Sequence, residues 1–280
     1  MSRVAVATCR ENAHDPDGPI LMAALDAGGV DATMAEWDDP AVDWDDFALV
    51  VIRSTWDYAS RRDDFLAWAS SMHHLLNPYG VVEYSSDKHY LADLQSLGLR
   101  IVPSHFCDVG MEPEFFDGDF VVKPSIGAGS RDARRYTEVD HDEARLHVAQ
   151  LHAKGRDVLI QPYVDAVDTE GERALIFIDG EFSHAMRKGA MLNVHELDRS
   201  ALFRLDQMSL AHDEPDAVHY AQRVLAAKGF SHLLYARVDL VRTDAGWAIM
   251  ELELVEPSLF LTYNKEAPSK LTRAIKQRLN

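Results

Sequence analysis

Three stretches of the sequence place residue types together that could do chemistry. The first is Val121-Val122-Lys123-Pro124-Ser125-Ile126-Gly127-Ala128-Gly129-Ser130. An apolar strand delivers a lysine, and small residues follow at once. Ser125, Gly127, Gly129 and Ser130 would let backbone N–H groups approach phosphate oxygens closely, and the Lys123 ammonium adds a point charge for the same oxygens. No G-K-[ST] ends the loop, so it is not a Walker loop. The first strand is followed by Cys9-Arg10-Glu11 rather than a dinucleotide fingerprint. Taken alone, Gly127-x-Gly129 reads equally well as a flexible hairpin. The second stretch is Glu251-Leu252-Glu253, preceded by Arg237-Val238-Asp239. Along a strand, residues i and i+2 share a face about 7 Å apart. Glu251 and Glu253 therefore point the same way, and Asp239 joins them from the preceding strand. Such carboxylates repel unless a cation sits among them, and Mg²⁺ held by carboxylates and nucleotide phosphates suits the set. A solvated face of an amphipathic strand is the plain alternative. The third stretch is Gln161-Pro162-Tyr163-Val164, followed by Gly171-Glu172. Pro162 breaks a strand and frees backbone groups that could meet an adenine edge, although any loop could look the same.

Other residues carry weaker signals. Arg53 ends an apolar strand, where a parallel sheet gathers ligands, and its fork suits a substrate carboxylate; an ion pair with Asp57 or another acid is the competing reading. Trp56 and Tyr58 would wall a small substrate or simply belong to the core. Arg187-Lys188 follows a strand and could neutralise developing phosphate charge, or could be a solvated strand end. His184 reads as structural, and His73-His74 lacks metal-ligand spacing.

Positioning these groups requires a mixed α/β chain. Strands at Val4–Ala7 and Leu49–Ile52 alternate with helical patterns at Ile20–Asp26, stopped by Gly28-Gly29, and at Phe65–Leu75. A helix starts near Ser85-Ser86-Asp87, placing Lys88 at its beginning, and Gly98 closes it. Strands at Phe120–Lys123 and Val158–Gln161 follow. Ala174–Ile178 and Glu181–Met186 flank Asp179-Gly180, a strong hairpin turn. Leu234–Val241 and Trp247–Leu254 flank Asp244-Ala245-Gly246. Helices fit 140–152, 215–228 and 266–278.

The fixed order of Lys88, Lys123 with its glycine loop, Gln161–Val164 and Asp239…Glu251-x-Glu253 resembles the ATP-grasp superfamily. The resemblance runs from about residue 84 to the C-terminus. It implies an ATP-grasp fold with a Rossmann-like preceding domain at 1–83, a central lobe at 84–165 and a C-terminal lobe at 166–280. It also implies that Lys88 and Lys123 hold ATP phosphates, that the segment from Gln161 with Glu172 meets the nucleoside, and that Asp239, Glu251 and Glu253 bind Mg²⁺. The family commonly ends its metal set with Asn, where this chain has Glu253, which makes the site more anionic and leaves the number of Mg²⁺ ions open; Glu256 is a further candidate ligand. Within the superfamily, Arg53-Ser54-Thr55-Trp56-Asp57-Tyr58, Asn77-Pro78, Ser86-Asp87-Lys88-x-Tyr90-Leu91, Phe182-Ser183-His184-Ala185 and Glu256-Pro257-Ser258-Leu259-Phe260 look like the bacterial group containing the cycloserine-forming cyclo-ligase. That resemblance implies activation of a carboxylate as an acyl phosphate and attack by an internal nitrogen of an O-ureido-serine. An intermolecular amide ligase and a non-catalytic nucleotide-binding regulator are the alternatives.

Composition agrees with a soluble small-molecule enzyme. The 280 residues are 47% apolar, enough for a packed core. The net charge of −18 opposes nucleic-acid phosphates. No run approaches the roughly 18 apolar residues of a membrane helix, and Cys9 and Cys107 form no C-x-x-C pair. The expectation is a reduced cytoplasmic protein acting on an amino-acid-like substrate, with homo-oligomerisation left open.

Overall fold

A computed structural model describes residues 2–10, 15–190, 192, 208–211 and 214–279. Its first sheet is parallel and four-stranded. The strands are β1 (Val4–Thr8), β2 (Ala32–Glu36), β3 (Leu49–Ser54) and β4 (Leu75–Leu76), in the order β2-β1-β3-β4. β1 and β3 are buried along their whole length, as central strands of a sheet covered on both faces must be. Helices α1 (Gly18–Ala27) and α2 (Arg62–Ser71) make the crossovers. β2 escapes a reading of the sequence because only Ala35 of its five residues is buried. The helical pattern at Phe65–Leu75 also ends early: Met72 turns extended, and Leu75 and Leu76 enter the sheet instead.

Two short helices follow, α3 (Tyr79–Ser85) and α4 (Tyr90–Ser96). The helix expected to begin at Ser85-Ser86-Asp87 is α4, which starts later, at Tyr90, while α3 ends where that start was expected. Ser85 closes the first, and Lys88 lies in the turn before the second, where the Asp87 carboxylate accepts from the His89 N–H at 3.1 Å. Gly98 ends α4 with a φ of 77°, a conformation that suits glycine.

The second sheet is antiparallel and built from β5 (His105–Cys107), β6 (Phe120–Pro124), β7 (Arg134–Tyr136) and β8 (Val158–Pro162), in the order β5-β8-β6-β7. The inward residues Phe120 and Val122 pack under α5 (His141–His152), which leaves Val121 and Lys123 on the other face. The short α6 (Ala166–Thr169) leads to the third sheet. Its strands are β9 (Glu172–Ile178), β10 (Glu181–Lys188), β11 (Met208–Leu210), β12 (Tyr235–Thr243) and β13 (Gly246–Glu253), in the order β11-β10-β9-β12-β13. Asp179 and Gly180 have φ values of 54° and 76°, the two positive angles that a tight hairpin between twisted strands requires. Helices α7 (Pro215–Ala227) and α8 (Ala267–Arg278) complete the chain; α7 covers one face of this sheet and α8 the other. Residues of α3 and α4 share the core between this sheet and α7, which also takes in Leu159 of the second sheet. Cys9 and Cys107 are separate buried thiols.

β13 ends its sheet, and its outer edge would present unpaired backbone groups. Side chains from earlier in the chain satisfy them. The Ser85 hydroxyl donates to the Leu252 carbonyl at 2.9 Å and accepts from the Leu254 N–H at 3.1 Å. The Tyr90 hydroxyl accepts from the Leu252 N–H at 2.8 Å. Asn77, 2% exposed, donates to the carbonyls of Leu254 (2.8 Å) and Tyr235 (2.9 Å) and accepts from the Leu234 N–H (3.0 Å). Asn77→Ala should therefore strand three buried backbone groups and force alanine to a φ of 61°. Chemical denaturation should show a loss of about 2–4 kcal/mol; a loss below about 0.5 kcal/mol would show that water replaces the amide.

Candidate active site

The second and third sheets face each other across a cavity of about 190 Å³. Strand alternation explains which side chains reach it. On the third sheet, β12 presents Arg237, and β13 presents Glu251 and Glu253; Asp239 shares the face of Arg237 but is fully buried and does not line the cavity. The two strands pair so that Asp239 lies opposite Glu251, and Arg237 opposite Glu253. A bulge follows Asp239, where Met250 is the extra residue on β13. Asp239, Glu251 and Glu253 each bring a carboxylate oxygen within 4.8 Å of the others. Next to them, Lys188 on β10 pairs in register with Glu172 on β9.

Four cations hold this acidic group together. Lys123 Nζ lies 3.0 Å from Glu251, and Lys88 Nζ lies 3.9 Å from the same oxygen. Lys188 Nζ is 2.7 Å from Asp239 and 2.9 Å from Glu172. Arg237 forks onto Asp239 at 2.9 and 3.0 Å and also donates to Glu253. Burial opposes ionisation of Glu251, but Lys123, Lys88 and Lys188 outweigh it and hold its carboxyl well below the usual range. Burial likewise opposes ionisation of Asp239, and Arg237 and Lys188 overcome it. Glu253 goes the other way. Its burial and the neighbouring charges of Asp239 and Glu251 exceed the help from Arg237, so its carboxyl is raised. Burial also pushes Glu256 up, to about 7. Three hard oxygen donors within 4.8 Å of one another fit a divalent magnesium ion, which Asp239, Glu251 and Glu253 would hold.

The glycine loop forms another wall through Gly127, Gly129 and Ser130. Gly129 and Ser130 have φ values of 63° and 56°, which turn the loop back over the cavity. Lys88 Nζ donates to the Gly127 carbonyl at 3.0 Å, so one lysine ties the loop to Glu251. Gln161, Pro162, Tyr163 and Val164 also line the cavity, with Glu172, Trp56 and Tyr58. Gln161 is fixed by donating to the Ser104 hydroxyl at 2.9 Å, and the Arg135 guanidinium covers the Tyr163 ring at 3.4 Å.

Three residues expected at the site lie elsewhere. Ser125 is fully buried off the cavity wall; its carbonyl accepts from the Lys88 N–H at 3.0 Å, so it places the lysine rather than lining the space. Arg187 neighbours Lys188 on a strand and so faces the opposite way. Its guanidinium donates to the carbonyls of Thr169 and Glu170 at the end of α6. Arg53 is 2% exposed because the loop after β13 crosses the end of β3. It donates to the Pro257 carbonyl at 2.7 Å and lies 3.8 Å from Asp17. The pairing with Asp57 is also absent: Asp57 serves Arg61 and the Trp37 ring nitrogen instead. Conversely, Arg237 was not singled out as a site residue, although its i, i+2 relation to Asp239 on one strand carried the signal.

The comparisons with known proteins agree with this geometry. A family model for the N-terminal domain of the D-cycloserine synthetase DcsG matches residues 4–77. The cycloserine biosynthesis protein DcsG of Streptomyces lavendulae is 37% identical over 285 residues, covering 95% of this chain and 94% of that protein. The crystal structure of D-cycloserine synthetase DcsG superposes with a TM-score of 0.90 and 35% identity over the full length of both chains. D-alanine–D-alanine ligase from Bacillus anthracis, in complex with ATP, shares the fold at a TM-score of 0.66 and 15% identity, over 100% of this chain and 97% of its own. The chain belongs to the D-cycloserine synthetase family, and it is a ligase built on the ATP-grasp fold.

Proposed function

We propose that this ligase uses ATP to activate the carboxylate of an O-ureido-serine and closes the isoxazolidinone ring of cycloserine. The observation that carries the reading is the single small cavity in which Lys88, Lys123, Lys188 and Arg237 meet three clustered carboxylates. Without ligands, acids and bases neutralise one another. MgATP would let the pairs exchange, since Asp239, Glu251 and Glu253 would hold the metal and Lys88 and Lys123 would hold phosphate oxygens at little electrostatic cost. Magnesium bound there would draw charge from the phosphate oxygens.

The remaining steps belong to the chain's own residues. Lys88 and Lys123 hold the phosphates under the glycine loop, and Gln161–Val164 with Glu172 receive the nucleoside. The substrate carboxylate oxygen attacks the γ-phosphorus, the bond to ADP breaks, and an acyl phosphate forms. Lys188 and Arg237 offset the charge on the phosphoryl oxygens in flight. The oxygen-bound nitrogen of the substrate then attacks the acyl carbon and expels phosphate, which closes a five-membered ring. The carbamoyl group left on that nitrogen departs by hydrolysis, consuming one water and releasing carbon dioxide and ammonia. Trp56 and Tyr58 wall the substrate side, and the loop excludes water from the acyl phosphate. Arg53 contributes from behind by holding the Pro257 carbonyl.

Phosphate release with ATP, Mg²⁺ and O-ureido-serine tests the reading. Turnover should need no second amine; an obligatory second amine would make the enzyme an intermolecular ligase. Lys123→Ala should weaken ATP binding in calorimetry by about 1.5–3 kcal/mol. Unchanged affinity would confine Lys123 to neutralising Glu251. Glu253→Gln should abolish turnover yet spare the fold. The raised carboxyl of Glu253 means that the metal-free wild type is favoured by protonation at low pH and loses that stability as pH rises above the ordinary carboxylate range. In chelator, the melting temperature of the Gln variant relative to wild type should therefore increase with pH. A variant that unfolds at neutral pH would show that the carboxylate is structural.

A further inference from the structure

Almost every charged group facing the cavity is matched inside the protein. Lys123 and Lys88 meet Glu251, Lys188 bridges Asp239 and Glu172, and Arg237 spans Asp239 and Glu253. Glu256 is the exception among the buried ones; Arg131, which also lines the cavity, is exposed to solvent. It lines the cavity and is 7% exposed, yet among the described residues its carboxylate makes no salt bridge and takes no side-chain hydrogen bond. Arg237, Arg53 and Lys88 act on it through their fields, and its own backbone N–H donates to it. It also stands outside the three carboxylates clustered for a metal.

Its position is built with care by the surrounding chain. Glu256 opens the loop that follows β13. That loop is pinned at Pro257 by Arg53 (2.7 Å), at Ser258 by Arg237 (3.3 Å), and at Leu259 and Leu261 by the two oxygens of Asp17 (2.8 and 2.7 Å). Tyr58 lies close enough for the Glu256 charge, after burial, to be the main influence raising its hydroxyl. A buried carboxyl whose one donor is its own backbone N–H, with no cation paired to it, is costly, and a cationic ligand group removes the cost.

We infer that Glu256 receives the α-ammonium group of the substrate and so selects α-amino acids over acids that lack the amine. The inference rests on the reading that a substrate carboxylate is phosphorylated in this cavity. In an α-amino acid the ammonium is one carbon from that carboxylate, so its acceptor must lie in the same space as Arg237 and the clustered acids, as Glu256 does. The neighbouring aromatic wall of Trp56 and Tyr58 keeps water away from the pair, which strengthens it.

The test compares O-ureido-serine with 3-(ureidooxy)propanoate, the same molecule without its amine, in phosphate release by the wild type, Glu256→Gln and Glu256→Asp. The wild type should favour the amino compound by about 10- to 100-fold in kcat/KM, the range of one charge-assisted contact. Glu256→Gln should lose that preference through a raised KM for the amino compound. Its KM for ATP and its Mg²⁺ requirement should not move, and Glu256→Asp should restore part of the preference. Equal loss on both compounds, or a raised Mg²⁺ requirement, would overturn the inference in favour of a structural or metal-binding role. If the wild type turns over neither compound, the substrate reading fails by itself. Calorimetry of serine against 3-hydroxypropanoate with the MgADP-loaded wild type and Glu256→Gln then decides: a preference for serine that Gln removes supports the ammonium site, and no preference in the wild type overturns it.

Discussion

The structure turns on a concentration of negative charge that no single element could tolerate. Asp239, Glu251 and Glu253 lie within 4.8 Å of one another, with Asp239 completely buried. Each cation that compensates them comes from a different place: Lys88 before α4, Lys123 on β6, Lys188 on β10 and Arg237 on β12. Bringing two sheets and a connecting turn together is therefore what makes the acids stable. Conversely, the acids give those elements a reason to meet at one point. Buried ion pairs add little net stability because desolvation cancels much of the attraction. Their value here is specificity of arrangement, since any looser packing leaves an unpaired charge.

The same economy prepares the site for its ligands. A cavity lined only by lysines, or only by carboxylates, would resist folding until nucleotide or metal arrived. With both present, the opposite charges largely offset one another. The charges are already desolvated and oriented, which is how fixed polar groups contribute to phosphoryl transfer.

The N-terminal sheet takes part by gripping the backbone of the third sheet and its loop, while Trp56 and Tyr58 after β3 line the cavity. The hydroxyl of Tyr235 on β12 donates between the carbonyls of Ile52 and Val255, and Asp17 and Arg53 grip the loop that follows β13. Asn77 joins the end of β4 to β12 and to the end of β13. The parallel sheet thus acts as a template for the loop carrying Glu256.

Much of this was legible in the sequence wherever the determining relation was local. Two-residue alternation put Glu251 and Glu253 on one face, Asp179-Gly180 announced its hairpin, and a strand ending in Lys123 before small residues announced the loop. Alternation also separates Arg187 from Lys188, because adjacent strand residues face opposite sides. What only the tertiary structure decided were relations between distant segments. Arg53 sits at the carboxyl end of a parallel strand, as ligand-binding residues do, but a loop two hundred residues later closes over it and accepts one hydrogen bond from it. Ser125 belongs to the loop by sequence, yet its carbonyl is spent on Lys88. Glu256 gives no local sign of its isolation. Whether a charged side chain is paired depends on every segment that folds against it, and periodicity along one strand carries no information about those segments.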